Sequence, residues 1–166
     1  MTEEIPTFQF ALREGLENSG FNFLPKRAEL EATGWDCRAS QHDQQDLVIR
    51  PGEHVMLPLG FRAFPPEGWW YQLHPRSSSF AKKHMHCLVG NVDEHYPKEV
   101  ILAFQYLPDL NAMGKDLTIK FGDPIAQIIP IKRVDMKTEL ITNHQYDELI
   151  KLRGSERIGG FGSTDK

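Results

Sequence analysis

Within Gly90-Asn91-Val92-Asp93-Glu94-His95-Tyr96 an acid, an imidazole and an aromatic ring fall close together. Asp93 has the chemistry of a general base, and Tyr96 that of a flat platform under a sugar or base. The same composition also makes an ordinary solvated hairpin tip, because Asp and Asn favour tight turns. From this segment alone the two readings stand level. Pro75-Arg76-Ser77-Ser78-Ser79 joins a guanidinium to clustered hydroxyls between a predicted strand and a predicted helical turn. Those are the donors a phosphate needs, although Arg-Ser-Ser is also a common loop tripeptide. In Gly122-Asp123-Pro124-Ile125-Ala126-Gln127 a turn enters an apolar strand that carries an amide. A buried amide left unpaired is costly, so Gln127 must find a partner in the protein or in a ligand.

The stretch from Arg153 to Lys166 differs in kind, with four glycines and a single aromatic. So few apolar groups cannot offset the ordering entropy, which makes 153–166 a flexible C-terminal segment. It reads as a mobile tail or as an arm that closes over a ligand. In the second reading Phe161 offers a face to a base, and Arg157, Ser163 and Thr164 offer donors to phosphate. His84-Met85-His86-Cys87 invites a metal reading, with His84 and His86 on one face of a strand and Cys87 on the other. No third ligand stands at a suggestive spacing, so no metal bound directly by the protein is expected. Trp69 and Trp70 read as core and interface filler. Walker, dinucleotide and nucleophile-elbow signatures are absent from the sequence.

The elements that must position these residues are short. Phe8–Leu12, Asp46–Arg50, His54–Leu57, Trp69–Leu73, Glu99–Tyr106, Asp116–Lys120 and Ile125–Ile131 are apolar or alternating runs. They lie between turns marked by 11 prolines and 13 glycines, the pattern of an all-β sandwich or barrel. Short helices are predicted only over Tyr146–Leu152 and Ser79–Lys83. The 166 residues, 40% hydrophobic and 25% charged, suit one soluble domain with a core. We expect that domain over 1–152 and the arm over 153–166. Mean hydropathy is -0.45, and no run approaches the roughly 18 apolar residues of a membrane span. Met-Thr-Glu-Glu-Ile-Pro at the start lacks the order of a secretion signal. Cys37 and Cys87 are too few for a disulfide framework, so a reducing, cytoplasmic setting is expected. A net charge of -4 supplies no basic field for nucleic acid. A local anion site remains open to a few arginines and backbone N–H groups.

Taken in order, these segments resemble the trimeric dUTPases (deoxyuridine triphosphatases) from about Leu24 to Thr164. The five matching motifs begin with Ala32-Thr33-Gly34-Trp35-Asp36-Cys37-Arg38-Ala39 and Pro75-Arg76-Ser77-Ser78. Gly90 to Tyr96, Gly122 to Gln127, and Gly159-Gly160-Phe161-Gly162-Ser163-Thr164 follow. The resemblance implies a jelly-roll-like β domain and a homotrimer with three shared active sites. It also implies Mg-dependent hydrolysis of dUTP to dUMP and pyrophosphate, which limits uracil in DNA. By the same resemblance Asp93 activates the water that attacks the α-phosphorus, and Tyr96 packs on the deoxyribose. The backbone of Gly90, Asn91 and Val92 reads uracil. Arg76, Ser77, Ser78 and Gln127 hold the phosphates, Asp36 steadies Arg76, and the metal rides on the phosphates and water. Phe161 covers the base, while Arg157, Ser163 and Thr164 grip the γ-phosphate.

This chain departs from the family pattern in places. His95-Tyr96-Pro97-Lys98 stands where Asp-Tyr-Arg-Gly is usual, and Pro124 where Arg is frequent. Arg157 sits one residue nearer Phe161 than usual, which leaves Arg153 as a rival for the γ-phosphate. Other functions compete. A dCTP deaminase shares the fold and the Arg-Ser-Ser motif, but Ala103 stands where its glutamate belongs. An altered-substrate dCTP/dUTP pyrophosphatase would follow from a changed third motif. A nucleotide-gated regulatory module would dock a protein partner through the long segment 106–117.

Overall fold

The computed structural model describes residues 5–154. Among them the strands are β1 (Gln9–Leu12), β2 (Trp35–Arg38), β3 (Leu47–Ile49), β4 (His54–Pro58), β5 (Phe61–Phe64) and β6 (Trp69–Pro75). The helix α1 (Ser77–Ala81) follows, then β7 (Met85–Cys87), β8 (Gly90–Val92), β9 (Ile101–Tyr106), β10 (Leu117–Ile119), β11 (Pro124–Lys132) and the helix α2 (Asn143–Leu152). Each expected apolar run became a strand because its alternation lets one face be buried. In β9, Leu102, Phe104 and Tyr106 point inward; in β5, Phe61 and Ala63 do. The centre of β11 is buried more fully, with Ile125, Ala126 and Ile128 all in the core. Burying one such Ile or Leu is worth about 1.5–3 kcal/mol, so these strands decide the fold.

The strands pair antiparallel in the orders β2-β11-β6-β8, β4-β9-β7, β1-β5 and β3-β10. This is the expected all-β, jelly-roll-like architecture. A polar hub fastens it: Arg13 bonds Glu99 at 2.8 Å and Ser40 Oγ at 2.7 Å, while Glu99 also accepts from Gly60 N.

A first compact unit runs through Arg133 and a second begins at Val134. That division falls earlier than the expected domain boundary at 152–153. The stretch from Val134 to Leu140 is exposed, so no core draws it into the sheets. In the second unit α2 starts three residues ahead of the predicted helix. Thr142 caps it by accepting from Gln145 N, and Gln145 Oε1 accepts from Thr142 N at 2.8 Å, a capping box. Among the described residues no helix is long and apolar enough to cross a membrane.

Candidate active site

Three strands assemble the phosphate-type end. β11 lies between β2 and β6, and its Gln127 pairs in register with Asp36 on one side and His74 on the other. β6 ends at Pro75 and delivers Arg76 and α1. Asp36 Oδ1 sits 3.1 Å from Arg76 Nε. The amide of Arg76 donates to Ile125 O at 3.1 Å, and its guanidinium reaches Pro124 O at 3.5 Å. Gln127 finds its required partner inside the protein, donating from Nε2 to Pro75 O at 3.2 Å. A Cβ at position 34 would collide with the Gln127 amide, so Gly34 makes that close packing possible. Ser77 is exposed at the start of α1 and Ser78 half-buried beside it. Asp36, Arg76, Gln127, Ser77 and Ser78 thus share one end of the sheet.

Two supports of this end escaped the sequence reading. Ser79 is fully buried and its Oγ donates to Ile125 O at 2.6 Å, tying α1 to β11. Lys83, just past α1, pairs with Asp123 at 3.1 Å in the turn before β11. The third serine of the run was visible, but its inward direction depends on the helical turn.

β8 carries the other half. It pairs with β6 through Leu73↔Gly90, Gln72↔Asn91 and Tyr71↔Val92, and it forms the edge of its sheet. Among the described residues its outer row of backbone donors and acceptors is therefore open to a partner. Asp93 follows in a turn closed by Tyr96 N donating to Asp93 O at 3.1 Å. Asp93 is exposed, and Tyr96 retains 37% of its surface. Glu94 anchors the turn by accepting from Arg133 at 2.8 Å and from Gly68 N at 3.1 Å. Trp69 and Trp70 are half-buried and line a cleft of about 440 Å³ beside Asp93 rather than filling the core.

The two halves lie apart within one chain. Asp93 follows Val92 by one residue, at the rung of Trp70, whereas Arg76 emerges past the far end of β6. Six residues of strand separate those rungs, about 20 Å at the rise of a β-strand. One phosphate group cannot touch both Asp93 and Arg76 of the same chain.

Other groups take less reactive settings. Burial pushes the Cys87 thiol up to about 11 and holds those of Cys37 and the Tyr71 phenol well above their ordinary values. The expectation that His84 and His86 share a strand face fails: His84 precedes β7 with a φ of 51° and approaches Asp109 at 4.0 Å, while His86 packs on Phe80. Among the described residues no group of three or more His, Cys, Asp or Glu side chains could hold a metal. The long segment after β9 folds on itself, with Asp109 accepting from Asn111 N and Ala112 N and Tyr106 donating to Lys115 O. Arg153 is exposed after α2. Arg157, Phe161, Ser163 and Thr164 lie outside the described residues.

The jelly-roll-like fold, with a guanidinium and hydroxyls at one end and an exposed acid in the turn after an edge strand at the other, defines a class of nucleotide-phosphate hydrolases. The dUTPase family model matches residues 23–164. The deoxyuridine 5'-triphosphate nucleotidohydrolase of Finegoldia magna is 31% identical over 150 residues, covering 89% of this chain and 94% of that protein. Among solved structures, the dUTPase from phage phi11 of S. aureus superposes with a TM-score of 0.67 at 18% identity. It covers 81% of this chain and 96% of its own. An aspartate-to-asparagine variant of that enzyme, with a TM-score of 0.64 at 18% identity over the same shares of the two chains, coordinates a structural Mg(II) ion. The chain belongs to the dUTPase family, and its activity is that of a dUTP diphosphatase.

Proposed function

We propose that the chain hydrolyses dUTP to dUMP and pyrophosphate by water attack on the α-phosphorus, at sites shared between the subunits of a homotrimer. The observation that carries this reading is the spacing of about 20 Å between the Asp93 and Arg76 rungs of β6. A site needing both must take Arg76 from one copy and Asp93 from another, as a closed cyclic assembly provides.

In that site Asp93 orients and deprotonates the attacking water. Its exposure in the single chain leaves the carboxylate available to a neighbour's substrate. The open edge of β8 at Gly90, Asn91 and Val92 meets the edge of uracil with backbone donors and acceptors. Tyr96, on the same turn, packs against deoxyribose. Arg76, Ser77, Ser78 and Gln127 hold the phosphate chain, and Asp36 fixes the direction of Arg76. Phe161 of the C-terminal arm covers the base, with Ser163, Thr164 and either Arg157 or Arg153 on the γ-phosphate. Arm closure would exclude bulk water from the reaction.

The residues present fit a magnesium ion bound through phosphate oxygens and water. Arg76, Ser77 and Ser78 offer donors to the phosphate oxygens that would carry the ion. When bound, magnesium would neutralise phosphate charge as the α-phosphorus is attacked. Pyrophosphate release measured in parallel from dUTP, dCTP, dTTP and UTP with magnesium tests the reading. Release from dUTP alone supports it. Equal release from dCTP would show that the altered hairpin has widened base selection, and no release from dUTP would overturn it.

A further inference from the structure

Beside Arg76 lies a cleft of about 450 Å³ lined by Asn22, Leu24, Lys26, Asp36, Arg38 and Pro124 among others, a volume typical of a small-ligand site. Its charge is unbalanced. Lys26 and Asp36 exchange both backbone hydrogen bonds, Lys26 N to Asp36 O at 3.2 Å and Asp36 N to Lys26 O at 2.9 Å. Residues paired in this way send their side chains to the same face. Arg38 is two residues beyond Asp36 on β2 and shares that face. Lys26, Arg38 and Arg76 therefore line the cleft with the single carboxylate of Asp36, and that carboxylate is already engaged with Arg76. This stands out in a chain whose net charge is -4.

Arg38 is held in place. Its Nη1 donates to Gly122 O at 2.6 Å, and its guanidinium lies 5.9 Å from the centre of the Phe21 ring. Phe21 in turn packs against Gly122, where a Cβ would meet the ring at 2.7 Å. One donor is spent on Gly122, and the guanidinium keeps others for a ligand. Pro124, the cross-strand partner of Arg38, offers no side-chain donor at that rung. Lys26 is exposed, and among the described residues its ammonium has no acceptor. Arg27 lines the cleft as well, but its guanidinium is engaged there, lying over Trp35 and donating to Leu30 O.

We infer that Lys26 and Arg38 form a polyphosphate subsite contiguous with Arg76, which grips the pyrophosphate half of the nucleotide. The inference rests on the reading that Arg76 holds the phosphate chain. The ligand chemistry is a di- or triphosphate, whether on the nucleotide or as released pyrophosphate.

The test compares wild type with Lys26→Ala and Arg38→Lys. Calorimetry gives the Kd of inorganic pyrophosphate and of dUMP, and steady-state assays give KM and kcat for dUTP. Both substitutions should weaken pyrophosphate binding and raise the dUTP KM by about three- to tenfold. The dUMP Kd and kcat should stay unchanged, and the Lys26→Ala effect should shrink at high salt. Pyrophosphate binding indifferent to both substitutions overturns the subsite, as does equal weakening of pyrophosphate and dUMP. Arg38→Lys perturbs the bond to Gly122, so exposed Lys26 decides if that variant folds poorly. Wild type that fails to hydrolyse dUTP while Lys26→Ala weakens pyrophosphate would sink the proposed reaction and leave the subsite standing. Normal dUTP turnover with unaltered pyrophosphate binding would do the reverse.

Discussion

Asp36 Oδ1 reaches Arg76 Nε at 3.1 Å, joining β2 to the end of β6 across the strand β11 between them. The two side chains keep 25% and 31% of their surface, so the pair adds only about 0–1 kcal/mol to the fold. On the proposed reading its effect is directional, because it fixes which edge of the guanidinium is turned to phosphate.

Replacing Asp36 by Asn should therefore leave the melting temperature nearly unchanged and lower kcat/KM for dUTP by about ten- to a hundredfold, the scale of a misdirected contact. Steady-state kinetics beside a thermal melt check this. A large fall in stability with unaltered kinetics would make Asp36 a structural residue instead.

Asp93→Asn preserves shape and, on the proposed reading, removes the base. Turnover should drop by about 10²- to 10⁴-fold, while calorimetric binding of dUTP stays within a small factor of wild type. The turn itself should survive, since Tyr96 N bonds the backbone oxygen of residue 93 and Glu94 supplies the anchor to Arg133. Loss of binding with residual turnover would show that Asp93 holds substrate rather than activating water.

The motifs were legible because each is local: Arg76 with its serines, Asp93 with Tyr96, and Gly122 to Gln127 announce themselves by composition. The demand that Gln127 find a partner was legible too, and Pro75 O meets it. β2 and β8 were harder, because Trp-Asp-Cys-Arg and Gly-Asn-Val carry too few apolar residues to read as strands alone. Their extended form comes from pairing with β11 and β6, a tertiary effect that overrides local preference. Contacts such as Lys83 with Asp123, or Glu94 with Arg133, join residues 40 and 39 apart. No local spacing encodes them. The left-handed backbone at His84 likewise follows from its place between α1 and β7. The capping box that starts α2 was present in the sequence as Thr-x-x-Gln, beginning four residues before the apolar spacing became visible at Tyr146.

Alkaline pH should unfold the protein through its buried acids. Cys87 is raised from its ordinary 9.0 to about 11, and Cys37 and Tyr71 are raised as well, each first by burial. A raised value means that the fold favours the neutral group. The stability is intact below the unfolded-state values and is lost as pH rises through the folded ones. Melting temperatures should be level up to about pH 9 and fall between about pH 9 and 11. A level profile through that window would show that these groups ionise without opposing the fold.

Ending the chain after Glu156 removes Arg157, Phe161, Ser163 and Thr164 together. If these residues close the site, kcat/KM for dUTP should fall by at least about a hundredfold. The melting temperature and oligomeric mass should not change, because the β core is built from residues before Arg133. Kinetics, a melt and light scattering on the truncated protein separate the outcomes. Unfolding would assign the arm to structure, and full activity would remove it from catalysis.

The spacing along β6 makes the sharpest prediction. Arg76→Ala and Asp93→Asn should each abolish most turnover alone, one by loosening the phosphates and the other by removing the base. If a site draws Arg76 and Asp93 from different copies, mixing the two inactive proteins and exchanging subunits creates sites with both groups intact. Random exchange in an equal mixture of a cyclic assembly should restore about a quarter of the wild-type activity per site. Sites lying within one chain would show no rescue at any mixing ratio, because each chain would still lack one group. That outcome would overturn the shared-site reading, because both groups would then serve one site despite about 20 Å of strand between their rungs.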